Sequence, residues 1–441
     1  MSIVSKFGGS SLSSEIQFKK VKKIIKENPE RCIVVVSALG KRANEDNKVT
    51  DLLYLLHAHI KHGVAYDSLW ETIKQRFLNV KQELNLAYNI NQELSLLKDQ
   101  LTSSVPTVDY LVSRGEYLTA KLMSEYLDFD FIDAKDVIIF QPNGKIDLDK
   151  SRKQLLQILP KDLKVVIPGF YGAYLDGKIK LLDRGGSDIT GSIVASCLGA
   201  SKYENWTDVS GVLMADPRII KNPATIPNLT YEELTELAYM GASVLHEETI
   251  HPIRDLNIPV HIKNTNQPHA DGTLICNQFE GNKNMITGIS GKKDFISITI
   301  YKNHMSSEVG FLHRTLEIFN RYDINIEHLP TGIDHVGVIV SAQCVDTCLY
   351  DLIESLKVEL NIDEVTVKKE IALITIVGRE IIKNPGLSGV IFQALGEKHI
   401  NVLLIAQSPR ELNIVIGVQN SDYIPATQIL YEKLVHEKTN H

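Results

Sequence analysis

A buried strand that runs directly into a glycine loop and a helix opens the chain, and this stretch constrains the fold most. The segment Ile3–Ser11, with the sequence IVSKFGGSS, begins with β-branched residues that favour a strand. A helical pattern follows at once, with Ser13 or Ser14 as its N-cap. The glycines let an anion approach free backbone N–H groups, and Lys6 adds a positive charge. The stretch indicates a phosphate site, while an ordinary strand–helix turn with a surface lysine remains the alternative.

Strand and helix patterns then alternate through the first half of the chain. Continuous apolar runs at Arg31–Val36 and Val165–Phe170, with a shorter one at Val137–Phe140, predict strands covered on both faces. Apolar residues recur at helical spacing from 50 to 127. The polar stretch from Leu39 to Val49 predicts a mobile surface loop. This alternation predicts a mostly parallel α/β sheet sandwiched by helices, with ligands at the carboxyl ends of its strands.

A second glycine loop, from Asp183 to Gly191, has the same pattern as the first: glycines and a hydroxyl residue, followed by a helix. A helix is predicted at Asp188–Leu198, with Gly199 as its left-handed C-terminal residue. An acid in a first helical turn is explained by the helix dipole alone, whereas Arg184 has no comparable structural explanation. Beside a phosphate loop, Arg184 is suited to hold a carboxylate with two hydrogen bonds. Asp188 is suited to position a lysine or a metal there.

Two further stretches carry weaker signals. A strand that ends at Trp206–Asp208 before a glycine turn lies where a nucleotide base is bordered in such sheets. The tetrapeptide Ser113–Glu116 places a charge pair and Gly115 inside a helical pattern. Glycine there costs about 1 kcal/mol relative to alanine, so a packing or binding reason is expected. A solvated Arg–Glu face is the alternative for this stretch.

The last third of the chain contains an internal duplication. Gly310 and Gly386 stand 76 residues apart, and the sequence around them repeats. Each copy reads strand, glycine turn, helix, two strands and helix, which predicts two small α+β modules. The first copy closes with a strand at Glu364–Val367, and the second has no such strand. A strand at Met285–Ile289 is expected to take its place.

Composition excludes several classes of protein. A net charge of −7 and a pI near 6.1, without a basic patch, argue against a nucleic-acid partner. No apolar run is long enough to span a bilayer, and no signal region follows Met1. The cysteines are odd in number and lack CxxC spacing, which favours a reducing compartment without structural zinc. A cytoplasmic protein without a dedicated protein metal site is expected.

Together, these motifs resemble the aspartokinases of the amino-acid kinase family over essentially the whole chain. The first loop resembles the family's N-terminal signature, with Ser10 where threonine is commoner. The other matching motifs follow in order: Gly115-Glu116, Arg184–Asp188, Trp206–Val209, Ala215–Arg218, Gly241–His246 and Asp271–Leu274. The duplicated modules resemble ACT domains, one nested within the other. The resemblance implies a catalytic domain at 1–283, a first ACT module at 284–369 and a second at 370–441.

The resemblance also implies roles for individual residues. Lys6 and Asp188 are assigned to catalysis. The implied aspartate-binding residues are Ser37, Ala38, Thr50, Glu116 and Arg184. The implied nucleotide-binding residues are Lys6, Gly8, Gly9, Ser10, Thr207, Asp208, Asp216 and Arg218. The chain departs from the pattern at Ser243, where many relatives carry a lysine, at Leu213, where some carry a tyrosine, and at Glu247, which replaces a proline.

The implied reaction is ATP-dependent phosphorylation of the L-aspartate side chain to 4-phospho-L-aspartate with Mg²⁺, the first step towards lysine, threonine and methionine. Two alternatives remain at this point. One is a kinase for another amino acid such as glutamate, against which the duplicated tail and the Arg184 loop argue. The other is a catalytically impaired amino-acid sensor, in which Ser243 in place of the lysine would be the first lost site residue.

ACT modules imply a small amino-acid effector, often bound across a dimer interface, so a homodimer or a dimer of dimers is expected. The candidate effector residues are Met305, Glu308, Gly310, Phe311, Leu312, Asn325, Ile326, Glu327 and Asp334. A glycine at a helix start exposes N–H groups suited to an α-carboxylate. The three acids among these residues favour lysine over threonine as the inhibitor. One alternative is that these acids only face solvent at the edge of the module. Another is that the modules only hold a dimer together.

Overall fold

The computed structural model describes residues 2–103, 105–183, 185–241, 245, 247–279, 286–379, 381, 384–407 and 412–436. Arg184, Ser243 and Met285, which the sequence singles out, lie outside these ranges. The described residues fall into two compact units. The first contains those of 1–212, 225–232 and 243–280, and the second contains those of 213–224, 233–242 and 281–441.

Strands from the first part of the chain form two sheets. Their bounds are β1 (Ile3–Phe7), β2 (Ile33–Val36), β3 (Asp130–Phe131), β4 (Ile139–Phe140), β5 (Val165–Pro168), β6 (Tyr171–Tyr174), β7 (Ile179–Leu181), β8 (Lys202–Thr207), β9 (Asn228–Thr230), β10 (Val260–Asn264) and β11 (Thr273–Cys276). The larger sheet has the order β3-β5-β2-β1-β8-β10-β11-β9, and the smaller has the order β4-β6-β7. In the larger sheet only β10 and β11 pair antiparallel. The mostly parallel α/β sheet expected from the sequence is confirmed.

Helices alternate with these strands. Their bounds are α1 (Glu15–Glu27), α2 (Val49–Lys61), α3 (Asp67–Glu83), α4 (Ile90–Ser103), α5 (Val108–Leu127), α6 (Ala134–Val137), α7 (Leu148–Ile158), α8 (Gly186–Leu198), α9 (Tyr231–Tyr239) and α10 (Glu247–Arg254). Helix α5 packs against β2 and β5, and α8 packs against β1 and β8. Their apolar faces bury Phe18, Leu53, Phe77 and Leu111 in one core with Phe7 and Trp206.

One local prediction needs correction, and another is confirmed. The strand expected at Val137–Phe140 is only two residues long, because Ala134–Val137 forms a helical turn capped by the Asp133 side chain. The helix expected after the first glycine loop begins at Glu15, which confirms the predicted start after Ser13 or Ser14, and a 3₁₀ turn at Gly9–Leu12 precedes it. Ser14 is its N-cap residue by backbone conformation, without a side-chain hydrogen bond. A polar SSLSS run favours such turns over a continuous α-helix.

A six-stranded antiparallel sheet forms the second unit. Its strands are β12 (Gly288–Tyr301), β13 (Ile326–His328), β14 (His335–Ser341), β15 (Glu364–Val377), β16 (Leu404–Gln407) and β17 (Asn413–Gln419), in the order β13-β14-β12-β15-β17-β16. Its helices are α11 (Phe311–Arg321), α12 (Ala342–Val345), α13 (Leu349–Leu360), α14 (Leu387–Glu397) and α15 (Tyr423–Tyr431). Short 3₁₀ turns lie at Met305–Ser307 and Asn420–Asp422, and a π-helical turn at Glu432–His436 follows α15.

Long central strands explain how the two copies share this sheet. The start of β12 pairs with the end of β15, from Gly288 opposite Val377 to Lys292 opposite Leu373. The rest of β12 pairs with the start of β15 beyond a register shift. The strand expected to end at Val367 therefore continues to Val377, across the expected limit between the modules. The domain limits themselves remain predictions.

Two short segments of the expected catalytic region, 213–224 and 233–242, lie in the second unit instead. Met240 packs there in a cluster with Phe295 and Leu373. Among the described residues, no helix combines the length and apolar character needed to cross a membrane.

Candidate active site

A lysine–aspartate pair lies at the centre of the first unit. Lys6 Nζ is 2.5 Å from Asp188 Oδ1, and both side chains are largely buried. The Asn205 side chain joins them, because its Nδ2 donates to Asp188 Oδ1 at 2.9 Å and its Oδ1 accepts from Lys6 Nζ at 3.4 Å. One ammonium, one carboxylate and one amide therefore form a closed polar cluster. Such a cluster carries no net charge, but it holds the Lys6 ammonium in one position, where it can also bind an anionic ligand.

Strand register places these three groups together. Strands β1 and β8 pair parallel, with Lys6 opposite Asn205. Successive side chains point to opposite faces of a sheet, so Lys6 and Asn205 share one face. Asp188 comes from the first turn of α8, and the Tyr203 hydroxyl donates to its backbone oxygen at 3.1 Å. This contact fixes the start of α8 over the face that carries Lys6.

Alternate residues of the same strands form a buried network on the other face. The Glu204 carboxylate is 4% exposed and accepts from Arg31 Nε at 2.8 Å and Trp206 Nε1 at 2.9 Å. Ser5 Oγ donates to it at 3.3 Å. The Trp206 ring also stacks on Phe7. A buried carboxylate with this many donors holds β1 and β8 in one register, which keeps Lys6 beside Asn205.

The sequence predicts that the first glycine loop leaves its backbone N–H groups free for an anion, and Gly8 differs from this prediction. The Gly8 N–H donates to the Trp206 oxygen at 3.0 Å and is therefore engaged within the protein. Gly9 and Gly40 approach each other so closely that a Cβ on Gly40 would lie 2.3 Å from the Gly9 backbone. The Gly40 N–H donates to the Gly9 oxygen at 2.9 Å. The glycines thus bring the loop after β1 against the loop after β2, next to Ala38.

The second glycine loop leads into α8 as expected, with Asp188 in the first turn and Gly199 in a left-handed conformation at the end. Ser187 is buried against Gly169 after β5, where a Cβ on Gly169 would lie 2.7 Å from the Ser187 Cβ. Arg184 is outside the described residues, so its role remains a prediction.

Glu116 differs sharply from a solvated charge pair. It is 3% exposed on α5, and its Oε2 has no hydrogen-bond partner among the described residues. Burial raises the pKa of Glu116 to about 8, against the opposing effect of backbone N–H groups at Ala38 and Glu116. The adjacent Gly115 lets α5 approach β2, since a Cβ there would lie 3.0 Å from the Ala38 Cβ. The alternative of a solvated Arg–Glu face is wrong.

Arg114 has a structural explanation. Its guanidinium lies over the rings of Tyr110, Tyr117 and Tyr171, 4.5 to 5.6 Å from their centroids. An arginine enclosed by aromatic faces is stabilised in place without a carboxylate partner. Its positive charge opposes the rise in the Glu116 pKa, but among the described residues no salt bridge joins the two side chains, so the Glu116 carboxyl remains available to a ligand cation.

The remaining aspartate candidates lie after β2. The Ser37 N–H donates to the Phe7 oxygen at 3.1 Å, and Ala38 is buried next to Gly9. Thr50 is half-buried in the first turn of α2. Ser37, Ala38, Gly9 and Glu116 are thus connected through contacts around Ala38.

The remaining nucleotide candidates separate into two groups. Thr207 Oγ1 donates to the exposed Asp208 at 3.1 Å, directly after β8. Asp216 and Arg218 belong to the second unit, where the guanidinium binds the carboxylate, with Nη2 2.6 Å from Oδ2. The Arg218 side chain is 86% exposed. Their place in a nucleotide site remains a prediction.

The candidate effector residues lie in three segments of the second unit: the turn and helix start around α11, the start of β13, and the turn before β14. Gly310 precedes α11, Phe311 is buried in its first turn, and Leu312 is partly exposed. Met305 is also buried, at the 3₁₀ turn before them. Asn325 precedes β13, which begins at Ile326.

The three acids of this region differ in their partners. Glu308 is bound by Lys302 at 2.7 Å and by Arg314, and these cations lower its pKa. Glu327 accepts from the Tyr239 hydroxyl at 2.7 Å, and Asp334 accepts from the His304 N–H at 2.9 Å. Because Glu308 is already neutralised, the argument for a cationic effector depends on Glu327 and Asp334.

Asn205 is the site residue that sequence reasoning missed. It lies one position before the Trp206-Thr207-Asp208 motif and has no charge to attract notice. Aligning β1 with β8 as parallel neighbours, with Phe7 opposite Trp206, would have placed it beside Lys6.

Comparisons with known proteins agree with the fold and with the motifs. A model for the amino acid kinase family matches residues 1–264, and one for the ACT domain matches 374–434. Aspartokinase 3 of Bacillus subtilis is 35% identical over 444 residues, covering 98% of both chains. Aspartate kinase of Clostridium acetobutylicum has a TM-score of 0.89 and 42% identity, covering 98% of this chain and 99% of that one.

Aspartokinase III of E. coli, solved with aspartate and ADP, has a TM-score of 0.75 and 26% identity, covering 98% of this chain and 100% of that one. The same enzyme solved with lysine and aspartate has a TM-score of 0.74 and 25% identity, with 99% and 100% covered. The motifs, the fold and the relatives agree, and the chain therefore belongs to the aspartokinases of the amino acid kinase family.

Proposed function

We propose that this aspartate kinase transfers the γ-phosphoryl group of ATP to the side-chain carboxylate of L-aspartate, giving 4-phospho-L-aspartate and ADP. The Lys6–Asp188–Asn205 cluster is the observation that carries this proposal. The E. coli relative solved with aspartate and ADP supports the substrate pair. As in aspartokinases generally, this reaction would open the route to lysine, threonine and methionine.

Positioning and charge carry most of the proposed catalysis. The attacking aspartate carboxylate is already ionised near pH 7, so its oxygen needs no general base. That oxygen forms the new bond to the γ-phosphorus while the bond to the bridging oxygen of ADP breaks. Lys6 stabilises the negative charge on the transferring group and the leaving ADP. Asp188 and Asn205 hold its ammonium in one direction.

Glu116 is proposed to bind the α-ammonium of aspartate. Its buried carboxyl has a polar atom without a partner, and a ligand cation would supply that partner. Arg184 is proposed to bind the α-carboxylate through a bidentate pair. Ser37, Ala38 and Thr50 complete the proposed aspartate site.

Mg²⁺ is proposed to accompany the nucleotide. This ion keeps several waters and takes substrate phosphate oxygens, with one or two carboxylates at most. Asp188 and Asp208 lie at the start of α8 and after β8 and are the acids proposed nearest the phosphates. When bound, the ion would neutralise part of the phosphate charge. Gly9 and Ser10, with Thr207, Asp216 and Arg218, remain the proposed nucleotide contacts.

Feedback inhibition by lysine through the second unit is proposed as well. The E. coli relatives include a lysine-sensitive aspartokinase and a structure with bound lysine. In this chain Glu327 and Asp334 would attract the two ammonium groups, and the start of α11 would accept the carboxylate. Lysine would then act by binding two states differently, not by competing at Arg184.

A homodimer is proposed because apolar side chains of the effector region face solvent. Val309 is 94% exposed and Ile333 is 75% exposed. A second copy of this region would cover them. A cytoplasmic location stays a prediction from composition.

The test is ADP release by the wild-type protein with ATP and Mg²⁺, with aspartate, with glutamate or with no amino acid. The proposal expects release that depends on aspartate. Equal release with glutamate would indicate another amino-acid kinase, and no release would indicate an impaired sensor. Separate titrations of lysine and threonine against the initial rate identify the effector. Inhibition by threonine alone would overturn the choice of lysine.

A further inference from the structure

A buried arginine outside the proposed chemistry is the feature that carries a further inference. Arg76 lies on α3, and its side chain is only 3% exposed. Its Nη2 donates to the Gly40 oxygen at 2.5 Å, and its Nη1 donates to the Asn47 oxygen at 3.0 Å. Nη1 is also 3.0 Å from Asp46 Oδ2. One guanidinium thus contacts both ends of the segment that the sequence predicts to be a mobile surface loop.

The segment held by Arg76 links the two parts of the proposed aspartate site. It runs from Leu39 to Lys48, between Ala38 and the first turn of α2, where Thr50 lies. Its two ends are joined by the Val49 N–H, which donates to the Leu39 oxygen at 3.0 Å. Fixing this segment therefore fixes residues on both sides of it.

Gly40 connects the same segment to the first glycine loop. Arg76 binds the Gly40 oxygen, while the Gly40 N–H donates to the Gly9 oxygen. A continuous chain of polar contacts therefore runs from α3 to the loop after β1. Any displacement of Gly40 would move the backbone that packs against Gly9 and Ala38.

Charge balance explains why an arginine suits this position. Burial lowers the pKa of Arg76, and Arg42 adds to that effect, while Asp46 opposes both. Asp46 binds both guanidiniums, with Arg42 Nε at 2.8 Å, and its own pKa lies well below the usual range. The planar guanidinium has five N–H donors spread over three nitrogens, which suits it to contact two carbonyls and a carboxylate at once.

We propose that Arg76 is a positioning residue for aspartate binding, which holds the segment 39–48 so that Ser37, Ala38 and Thr50 form one site. The inference rests on the proposed function, because it assumes that these three residues bind aspartate. It adds a residue that touches neither substrate. A purely structural role would instead lower thermal stability and leave the two substrates equally affected.

The experiment compares Arg76→Gln and Arg76→Lys with the matched control Arg42→Gln. Arg42 binds the same Asp46, but its side chain is 48% exposed, and among the described residues it binds neither the Gly40 nor the Asn47 oxygen. The first readout is the rate of tryptic cleavage after Lys48, a site that all variants keep. The second is the KM for aspartate and for ATP, with Tm measured on each variant.

We expect Arg76→Gln to accelerate cleavage after Lys48 and to raise the KM for aspartate, each about ten-fold, since it removes hydrogen bonds from a charged donor. The KM for ATP should change less than about two-fold, because the proposal confines the effect to aspartate binding. An equal rise in both KM values would instead indicate general loosening of the protein. Arg76→Lys keeps the positive charge but loses the planar set of donors. Its cleavage rate and its KM for aspartate should therefore lie between those of Arg76→Gln and wild type. Arg42→Gln should behave as wild type.

Unchanged cleavage in Arg76→Gln would overturn the proposal, as would equal rises in both KM values. If Arg76→Gln does not fold, Arg76→Lys decides by the same two readouts. Failure of the proposed function is distinguishable, because the wild-type protein would then release no ADP in response to aspartate.

Discussion

The pH dependence of aspartate binding should reveal Glu116. The carboxyl is buried, one of its oxygens has no hydrogen-bond partner among the described residues, and burial raises its pKa to about 8. At pH 7 the unliganded protein therefore carries this group mostly protonated. An α-ammonium binds the carboxylate and not the neutral acid, so aspartate binding must release a proton below pH 8.

The size of the effect follows from that pKa. Well below pH 8 the deprotonated fraction falls about ten-fold per pH unit, and so does the affinity for aspartate. Between pH 8 and pH 6 the deprotonated fraction falls from about one half to about one hundredth, so the KM for aspartate should rise about 50-fold, equivalent to ~2.3 kcal/mol. Above pH 8 the KM should level off. The kcat at saturating aspartate should change much less, because the saturated enzyme already holds Glu116 ionised.

The assay is initial ADP release from pH 6 to 9 at saturating ATP, with aspartate varied at each pH. Calorimetry of aspartate binding in two buffers with different ionisation enthalpies counts the released proton directly. Glu116→Gln should bind aspartate weakly at every pH and show no slope. A KM independent of pH between 6 and 8, or an unchanged slope in Glu116→Gln, would refute the reasoning.

Stability offers a second readout of the same group. Between the usual glutamate pKa of 4.5 and about 8, the folded protein holds a proton on Glu116 that the unfolded chain does not hold. Stability from this group is therefore present below pH 4.5 and is lost as pH rises towards 8, by an amount on the order of 5 kcal/mol. Glu116→Gln should lack this loss when the free energy of unfolding is measured by urea titration across the window.

Three further predictions concern the catalytic cluster and the effector region. Lys6→Met and Asp188→Asn should each lower kcat by about 10²–10⁴-fold with Tm little changed, because each removes a group fixed beside the transferring phosphoryl; near-normal turnover would return Lys6 to a structural role. Asn205→Leu should lower kcat about ten-fold and leave both KM values unchanged, and a rise in KM alone would argue against positioning. Glu327→Gln should raise the half-inhibiting lysine concentration more than Glu308→Gln, since Lys302 and Arg314 already neutralise Glu308; the reverse order would move the effector site.

Much of the fold followed from local pattern. The apolar runs before the first glycine loop and at 31–36 became neighbouring parallel strands, because such runs suit a sheet covered on both faces. Asp188 lies in the first turn of α8 and Gly199 follows its last residue, as their side-chain and backbone preferences indicate. The same local logic located Lys6 at the end of β1.

What sequence reasoning missed depends on contacts between distant segments. Asn205 is recognisable only once the register of β1 and β8 is known. The segment 39–48 looked mobile because its own residues are polar, and the arginine that holds it lies on α3, at position 76. Gly115 predicted a packing or binding reason, and the resemblance assigned Glu116 to the aspartate site, but the motif alone left a solvated Arg–Glu face open because only the fold shows α5 close against Ala38.

The product of the reaction tests the central claim most directly. An acyl phosphate reacts with hydroxylamine to give a hydroxamate, and mass spectrometry with a fragmentation standard distinguishes the side-chain from the α-carboxyl derivative. The wild-type protein with ATP, Mg²⁺ and aspartate should give the side-chain hydroxamate in an amount equal to the ADP released, and Asp188→Asn should give almost none. ADP without hydroxamate, or the α-carboxyl derivative, would contradict phosphoryl transfer to the aspartate side chain at the Lys6–Asp188–Asn205 cluster.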